Sequence, residues 1–231
     1  MPKERNIETE IGGFISTLLR KHFGKGPTSV YVSVNPPYIS IHFRGFSTTM
    51  EKILMKQDEW KRVLETRNLL VNDLKPIIQE HLKNLGGWTI EEFYVEWNLE
   101  LETGTFLTVL EDSIISQEFS WPSDDQKTAF ETAMQTIEST LNRDPEQTES
   151  HWLNERTLLI KWTGVLTGIE QALIADGYSE ILKYTKRSYE RSVLEKAGFE
   201  NVFERRIQEL FMDWNFDLNV GYVIFVLEAK R

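Results

Sequence analysis

The sequence contains no cysteine. A chain without thiols cannot form a disulfide framework, a thiolate zinc site, an iron–sulfur cluster or a cysteine nucleophile. Histidine is also scarce, and the four residues lie in separate predicted elements without any metal-ligand spacing. We therefore expect the protein to hold no metal and no cofactor.

Long apolar runs are missing as well. No stretch approaches the roughly 20 apolar residues that a membrane-spanning helix needs, and the first residues lead into no signal-peptide core. We expect a soluble, unexported, cytoplasmic protein without direct membrane insertion. Any position at the inner face of the membrane would then depend on a partner.

Basic residues are outnumbered, with 26 Lys and Arg against 36 Asp and Glu and a formal net charge of −10. Such a surface repels phosphate backbones, which argues against nucleic acid as a partner. The hydrophobic content of 40% is that of a globular protein. Since the sequence has neither a complete phosphate-binding loop nor a nucleophile elbow, no catalytic residue is assigned and the protein is not expected to be an enzyme.

The chain contains an internal repeat. Residues 38–54 align without a gap with residues 157–173, and residues 96–111 align with residues 213–228. The register offset is 119 residues in the first block and 117 in the second, so the two copies keep their order. Identical residues include the pairs Ile41/Ile160, Gly45/Gly164, Thr48/Thr167, Glu51/Glu170, Leu54/Leu173, Trp97/Trp214, Asn98/Asn215 and Gly104/Gly221. The sequence therefore predicts a tandem duplication.

Each copy predicts a helix, a strand hairpin, a helical region and a second hairpin. Hairpins segregated from helices indicate an α+β fold, with an antiparallel sheet that carries helices on one face. The alternation places Ile39, Ile41 and Phe43 inward, and Leu158, Ile160 and Trp162 take the equivalent positions. We expect repeats at residues 1–115 and 116–231, related by a pseudo-twofold axis, with a boundary segment over residues 113–125.

Details differ between the copies. The helical regions are predicted over residues 48–69 and 76–85 in the first copy, and over residues 167–183 and 189–197 in the second. The first strand of the second copy is expected to be short or lost, with a remnant near residues 151–153. Any site built from that part of the repeat would then exist once.

Two helix starts carry a capping box. In Thr48-x-x-Glu51 and Thr167-x-x-Glu170, the threonine oxygen can accept from the third backbone N–H while the glutamate reaches back to the cap. A symmetric carboxylate pair could instead perform acid–base chemistry. The structural role is favoured because each threonine lies where a cap requires it.

Four polar residues are candidates for ligand binding: His42, Arg44, Asn98 and Asn215. His42 is predicted on the outward face of a strand, as a partly exposed residue. Asparagine is disfavoured inside strands, so Asn98 and Asn215 indicate a site, a subunit seam, a bulge or a bond to nearby backbone. The preceding tryptophans, Trp97 and Trp214, are predicted to belong to the core.

Basic residues gather after each capping box. They are Lys52, Lys56, Lys61, Arg62 and Arg67 in the first copy, and Lys183, Lys186, Arg187 and Arg191 in the second. They could form an anion site. Interspersed acids favour a solvated helix face.

The order of these segments resembles the MpsC-like family of small soluble bacterial proteins. The resemblance rests on Gly24-Lys-Gly-Pro27, on residues 45–51 after a strand, and on residues 164–170, which match the family's Gly-x-Leu-Thr-x-x-Glu pattern. It covers nearly the whole chain as two units. It implies a link to membrane systems that move cations such as sodium or inorganic carbon such as bicarbonate.

Two classes of function follow. The first is a non-enzymatic accessory or regulatory protein that binds a subunit of such a transport complex. The second is a small-ligand binder or cryptic enzyme that uses a cleft between the repeats. Further homo-oligomerisation of the doubled chain is left open.

Overall fold

The computed structural model describes residues 6–111 and 119–229. The chain divides into two compact units, Met1–Gln117 and Glu118–Arg231. We refer to the described residues of these units as repeat 1 and repeat 2. The boundary expected between residues 115 and 116 lies outside the described residues.

Repeat 1 begins with a helix and ends with a hairpin. Its elements are α1 (Ile7–Phe23), β1 (Ser29–Asn35), β2 (Tyr38–Arg44), α2 (Thr49–Lys56), α3 (Trp60–Gly86), β3 (Ile90–Asn98) and β4 (Thr103–Leu110). Repeat 2 follows the same plan. Its elements are α4 (Asp124–Thr140), β5 (Gln147–Asn154), β6 (Thr157–Thr163), α5 (Gly168–Ala175), α6 (Ser179–Lys196), α7 (Phe199–Phe203), β7 (Ile207–Asn215) and β8 (Val220–Leu227).

The two sheets have the same topology. Their strand orders are β1-β2-β4-β3 and β5-β6-β8-β7, and every neighbouring pair is antiparallel. The second strand of each first hairpin therefore pairs with the last strand of the repeat. In that central pair Phe43 lies opposite Gly104, and Trp162 lies opposite Gly221. The α+β class and the two-repeat organisation are confirmed.

The core of each repeat lies between the helices and the face of the sheet that the alternation predicts. Ile39, Ile41 and Phe43 are fully buried, and so are their counterparts in β6. In repeat 2 one apolar cluster joins residues of α4, α6 and α7 to the inward residues of the sheet, including Trp162 and Trp214. Each repeat therefore contains its own hydrophobic core.

One strand prediction was wrong. The first strand of repeat 2 is neither short nor lost, because β5 runs over eight residues and pairs with β6 from Gln147 to Asn154. Its sequence is mostly polar, with glutamate, serine and histidine between its threonine and its tryptophan, so it lacks the apolar alternation that marks a strand. Pairing with the apolar strand β6 defines it instead.

The helix boundaries also differ from the prediction. In repeat 1 the chain breaks after α2, where Asp58 has a φ of 59°, and α3 then continues through Pro76. Proline removes one helical hydrogen bond, but buried Leu74 and Ile78 hold the helix on either side of it. In repeat 2 the break falls at Gly177, with a φ of 84°, and α6 crosses the expected gap. The short helix α7 was not predicted.

Candidate functional site

A polar connection fixes α2 to the rest of repeat 1. The backbone N–H of Glu51 donates to the Thr48 hydroxyl at 3.2 Å, and the N–H of Thr48 donates to Glu51 Oε2 at 2.7 Å. Both halves of the capping box are therefore present. None of the eight residues of α2 is fully buried, although Leu54 and Met55 are half-buried, so this polar connection is a main attachment of the helix.

Arg67 of α3 completes the connection. Its guanidinium donates to Glu51 Oε1 at 2.7 Å and to Oε2 at 3.0 Å, and also to the carbonyl of Phe46 at 2.9 Å. The guanidinium lies over the rings of Phe46 and Trp97, at 5.0 and 4.7 Å from their centroids. With 1% of its side chain exposed, Arg67 is a buried charge that binds a carboxylate and a carbonyl and lies over two aromatic faces, although its Nη1 has no hydrogen-bond partner among the described residues.

The electrostatics of Glu51 follow from this geometry. Burial alone would raise the pKa of the carboxyl, but the hydrogen bonds and the charge of Arg67 and the hydrogen bonds from Thr48 outweigh it, so the pKa is lowered. Glu51 is therefore an ionised carboxylate with both oxygens engaged. A general base needs a free oxygen to accept the proton and a pKa near the working pH, and Glu51 has neither.

Repeat 2 builds the same connection with a lysine. Thr167 and Glu170 form the second capping box, with a distance of 2.8 Å from Thr167 N to Glu170 Oε2. The ammonium of Lys186, which occupies the position of Arg67, donates to Glu170 Oε1 and lies 5.7 Å from the centroid of the Trp214 ring. The capped helix α5 again buries none of its residues.

Repeat 2 adds two charges that repeat 1 lacks. Glu190, one helical turn beyond Lys186 on α6, lies 3.1 Å from the lysine nitrogen and also accepts from Arg143. Arg143 follows α4 and lies over the ring of Trp162 at 5.2 Å. Val71 occupies the position of Glu190 in repeat 1. We refer to Arg143, Glu170, Lys186 and Glu190 as the charge cluster.

The charge cluster is almost closed to solvent. The side chains of Lys186 and Glu190 are each 2% exposed. Burial, reinforced by the charge of Arg143 and only partly offset by Glu170, lowers the pKa of Lys186 to about 8. Burial also lowers the pKa of Arg143 to about 10, although the charges of Glu170 and Glu138 oppose this.

The charge cluster is incompletely satisfied. Within the described part of the chain, Arg143 Nη1 and Glu190 Oε2 have no hydrogen-bond partner, and neither does Nε1 of the adjacent Trp214. The corresponding Trp97 of repeat 1 donates to Asn68 at 3.3 Å. Arg187 takes the position of Asn68 in repeat 2, lies over the Trp214 ring and contacts Asp213 at 3.4 Å. Among the described residues, these three buried atoms without a hydrogen-bond partner in repeat 2 compare with one at the connection of repeat 1, Nη1 of Arg67.

The expectation of a solvated basic face was wrong for the two residues that matter most. Arg67 and Lys186 are buried, whereas Lys52, Lys56 and Arg62 are exposed as expected. A sequence signal for them exists. Arg67 continues the four-residue spacing of Val63 and Val71 on the buried stripe of α3, where a charge is out of place.

The four predicted ligand residues do not form one site. His42, Arg44 and Asn98 share the face of the first sheet opposite Ile41, since His42 pairs with Thr105 and Asn98 pairs with Thr103. His42 is 8% exposed, so the expected partly exposed surface position was wrong. Asn215 belongs to β7 of the other repeat.

The strand asparagines have a local role. Asn98 Oδ1 accepts from the N–H of Leu101 at 3.1 Å. Asn215 Oδ1 accepts from Asp217 and Leu218, at 3.1 and 3.2 Å. Each side chain therefore closes the turn of its hairpin, which is the ordinary use of asparagine at such positions.

No metal centre is visible in residues 6–111 and 119–229, where no three His, Asp or Glu side chains are placed to hold an ion. His81 stacks on Phe14, with ring centroids 3.6 Å apart, and His151 lies 3.4 Å from a Glu149 oxygen. A pocket of about 530 Å³ occurs in repeat 2. It has Trp152 and Phe203 on its apolar side and Arg205 and Arg206 on its polar side.

The cationic side of this pocket is partly occupied by internal bonds. Arg205 donates to the carbonyls of Glu228 and Glu155, the latter at 2.7 Å, and so ties the end of β8 to the β5–β6 turn. Burial and the nearby charge of Arg156 lower its pKa. Arg206 is exposed, so it is the arginine that can reach a ligand.

Fold and site together define a duplicated α+β protein in which a capped helix of each repeat is held by a buried ion pair. A family model described as "Na+-translocating membrane potential-generating system (MpsC)" matches residues 3–112 and again residues 126–229. The chain therefore belongs to the MpsC family, with one match in each repeat. Neither the search of curated proteins nor the search of solved structures finds a match.

The family description links the chain to a sodium-translocating membrane system. None of the helices in the described ranges is long and apolar enough to cross a membrane.

Proposed function

We propose that this protein is a non-enzymatic accessory subunit of a membrane system that translocates sodium or inorganic carbon, and that it acts by binding another subunit. The observation that carries the proposal is the match of both repeats to a family described by such a system. The family description names a system that translocates sodium and generates a membrane potential, and such a system needs a membrane-spanning protein. None of the described helices of this chain can span a membrane. A role beside the translocating subunit is consistent with both facts.

The polar groups favour binding over catalysis. The carboxylates that recur in both repeats, Glu51 and Glu170, are capping residues with ionic partners, and their pKa values are lowered. A catalytic acid or base would instead need a pKa near the working pH and access to a substrate. The recurrent chemistry of the two repeats therefore stabilises helices.

Charge suggests how the partner is approached. With a net charge of −10, the protein is attracted to basic surfaces, and the cytoplasmic loops of membrane proteins carry an excess of Lys and Arg. We place the protein at the cytoplasmic face, bound through a partner. Such an association weakens as salt rises.

The test is co-purification of the tagged full-length chain from gently solubilised native membranes, at low and at high salt. We expect a membrane protein to co-purify at low salt and to be lost at high salt. A deletion strain should grow poorly at high sodium or at limiting bicarbonate. A chain recovered without a partner, from a host whose deletion strain is indifferent to both conditions, would contradict the proposal.

The pocket of repeat 2 favours a second candidate, a small-ligand binder. Its volume suits a metabolite, and exposed Arg206 beside Trp152 and Phe203 suits an anion with an apolar part. Native mass spectrometry of the purified chain would then show a bound small molecule that is lost in the Arg206→Glu variant. A single mass equal to that of the bare chain in both proteins would remove this candidate.

A further inference from the structure

Repeat 2 exposes a group of large apolar side chains where α5 turns into α6. Ile169 is 74% exposed, Leu173 37%, Tyr178 50% and Ile181 64%. We call these four residues the elbow patch. Single exposed apolar residues are ordinary on protein surfaces, but four of them over thirteen residues form a concentration that marks interaction sites.

The four side chains lie on two consecutive helices that are joined by a tight turn. Ile169 and Leu173 are four residues apart on α5 and therefore lie on one side of that helix. The backbone N–H of Tyr178 donates to the carbonyl of Leu173 at 2.9 Å, which joins the end of α5 to the start of α6. Ile181 follows Tyr178 by three residues, on the first turn of α6.

The fold does not use these residues for its core. The helix α5 buries none of its residues, and its attachments include the capping box and the ion pair between Glu170 and Lys186. Apart from half-buried Ile174, the apolar residues of α5 are exposed. A helix held by its polar side leaves its apolar side available to a partner.

The exposed charged residues within the segment that carries the elbow patch are acidic. Between Gly168 and Leu182 the sequence has no lysine or arginine, while Asp176 and Glu180 are exposed. An anionic lipid surface is repelled by these acids, whereas an amphipathic protein helix with basic residues at its margin is attracted. Two exposed acids beside apolar side chains therefore favour a partner that is apolar and basic.

The equivalent elbow of repeat 1 carries charged residues where repeat 2 has Tyr178 and Ile181. Glu59 and Arg62 occupy the positions of Tyr178 and Ile181, are both exposed, and form an ion pair at 3.3 Å. Lys52 and Lys56 add positive charge to α2. The two elbows therefore differ at these two positions, where repeat 2 exposes apolar side chains and repeat 1 an ion pair, although α2 of repeat 1 also exposes Met50 and Ile53, at 65% and 47%.

We infer that the elbow patch of repeat 2 is the docking surface for an amphipathic, lysine- or arginine-bearing helix of a partner protein. The elbow patch would be the contact surface in the proposed accessory function, and the inference rests on that function only for the identity of the partner. The helix places its apolar residues on Ile169, Leu173, Tyr178 and Ile181, and its basic residues beside Asp176 and Glu180. Such recognition uses the apolar face of an amphipathic helix and is guided by complementary charge.

The test uses the full-length chain and two helical peptides of about 18 residues, or five turns, that share one leucine face. One peptide has lysine on its polar face and the other has glutamate. The variant Tyr178→Glu/Ile181→Arg gives repeat 2 the residues of repeat 1. The matched control Met50→Glu/Ile53→Arg changes two exposed apolar residues of α2. Unchanged circular dichroism and denaturation midpoints establish that both variants fold.

We expect the lysine peptide to bind the wild type and the control equally, and to bind the elbow variant at least about tenfold more weakly, since two central apolar contacts are lost. The glutamate peptide should not bind. Equal binding of the two peptides, full binding by the elbow variant, or tighter binding of the wild type to anionic phosphatidylglycerol vesicles than to the lysine peptide would overturn the assignment.

Co-purification from membranes separates this inference from the proposed function. If the elbow variant co-purifies with the same partner as the wild type, the docking surface is wrong and the accessory function stands. If the wild type binds the lysine peptide through the elbow patch but no membrane protein co-purifies, the docking surface stands and the accessory function is wrong.

Discussion

Replacing Lys186 by arginine should remove a pH dependence of stability that only repeat 2 carries. Lys186 is the buried base of the charge cluster, and burial lowers its pKa from the ordinary 10.5 to about 8. Repeat 1 has Arg67 at this position, with the same glutamate partner and the same capping box. The substitution therefore uses a residue that this fold already accommodates.

The sign of the effect follows from the direction of the shift. Because the pKa is lower in the folded state, the unfolded chain binds more protons between about pH 8 and 10.5, and the free energy of unfolding rises with pH over that interval. For a pKa of about 8, the gain between pH 7 and pH 9 is about 1.4 kcal/mol. Arginine stays charged throughout and contributes no such gain.

Urea denaturation followed by tryptophan fluorescence measures the difference, since Trp214 lies beside the ammonium. The free energy of unfolding of the wild type minus that of Lys186→Arg should increase by about 1.4 kcal/mol from pH 7 to pH 9. The same change at exposed Lys52 is the control and should leave the pH profile of the wild type unaltered. A difference that stays constant with pH, or that falls, would refute the reasoning.

Two further predictions concern the polar connections. Thr48→Ala and Thr167→Ala should each lower the free energy of unfolding by about 0.5–2 kcal/mol, because an N-cap acceptor is lost. The serine variants retain the hydroxyl and should be about as stable as the wild type. Unchanged urea midpoints in both alanine variants would contradict the capping role. Glu190→Val should lower the free energy of unfolding by about 3 kcal/mol, because the buried Arg143 loses its carboxylate. Adding Arg143→Met should recover most of this stability, since valine occupies the position of Glu190 in repeat 1, at Val71. A double variant as unstable as the single one would show that the pair itself stabilises the fold.

Much of the architecture could be predicted because it is encoded locally. A capping box needs only a threonine and a glutamate three residues apart, and Thr48 and Glu51 meet that condition in the sequence as they do in the structure. The duplication is equally visible, because aligned glycines and tryptophans such as Gly104 and Trp97 keep their spacing. Neither inference requires knowledge of tertiary contacts.

The ionic partners of the caps could not be assigned in the same way. Arginine and lysine are among the residues least often buried, so composition assigns Arg67 and Lys186 to the surface. Their burial depends on which side of α3 and α6 faces the sheet, and on aromatic rings that arrive from distant strands. The strand β5 was misjudged for a related reason, because its partner β6 supplies what its own sequence lacks.

The two repeats differ most in the number of charged residues that they bury. Repeat 1 shows that the fold needs one buried ion pair behind its capped helix, yet repeat 2 buries Arg143 and Glu190 as well and leaves polar atoms of both unpaired. Transfer of each ion from water into the protein interior costs several kcal/mol, which the attraction between the two ions has to offset. The same repeat carries the elbow patch at the junction of α5 and α6, and Glu170, a member of the charge cluster, belongs to α5. The chemistry that the fold does not require is therefore concentrated around α5, which makes repeat 2 the place to look for function.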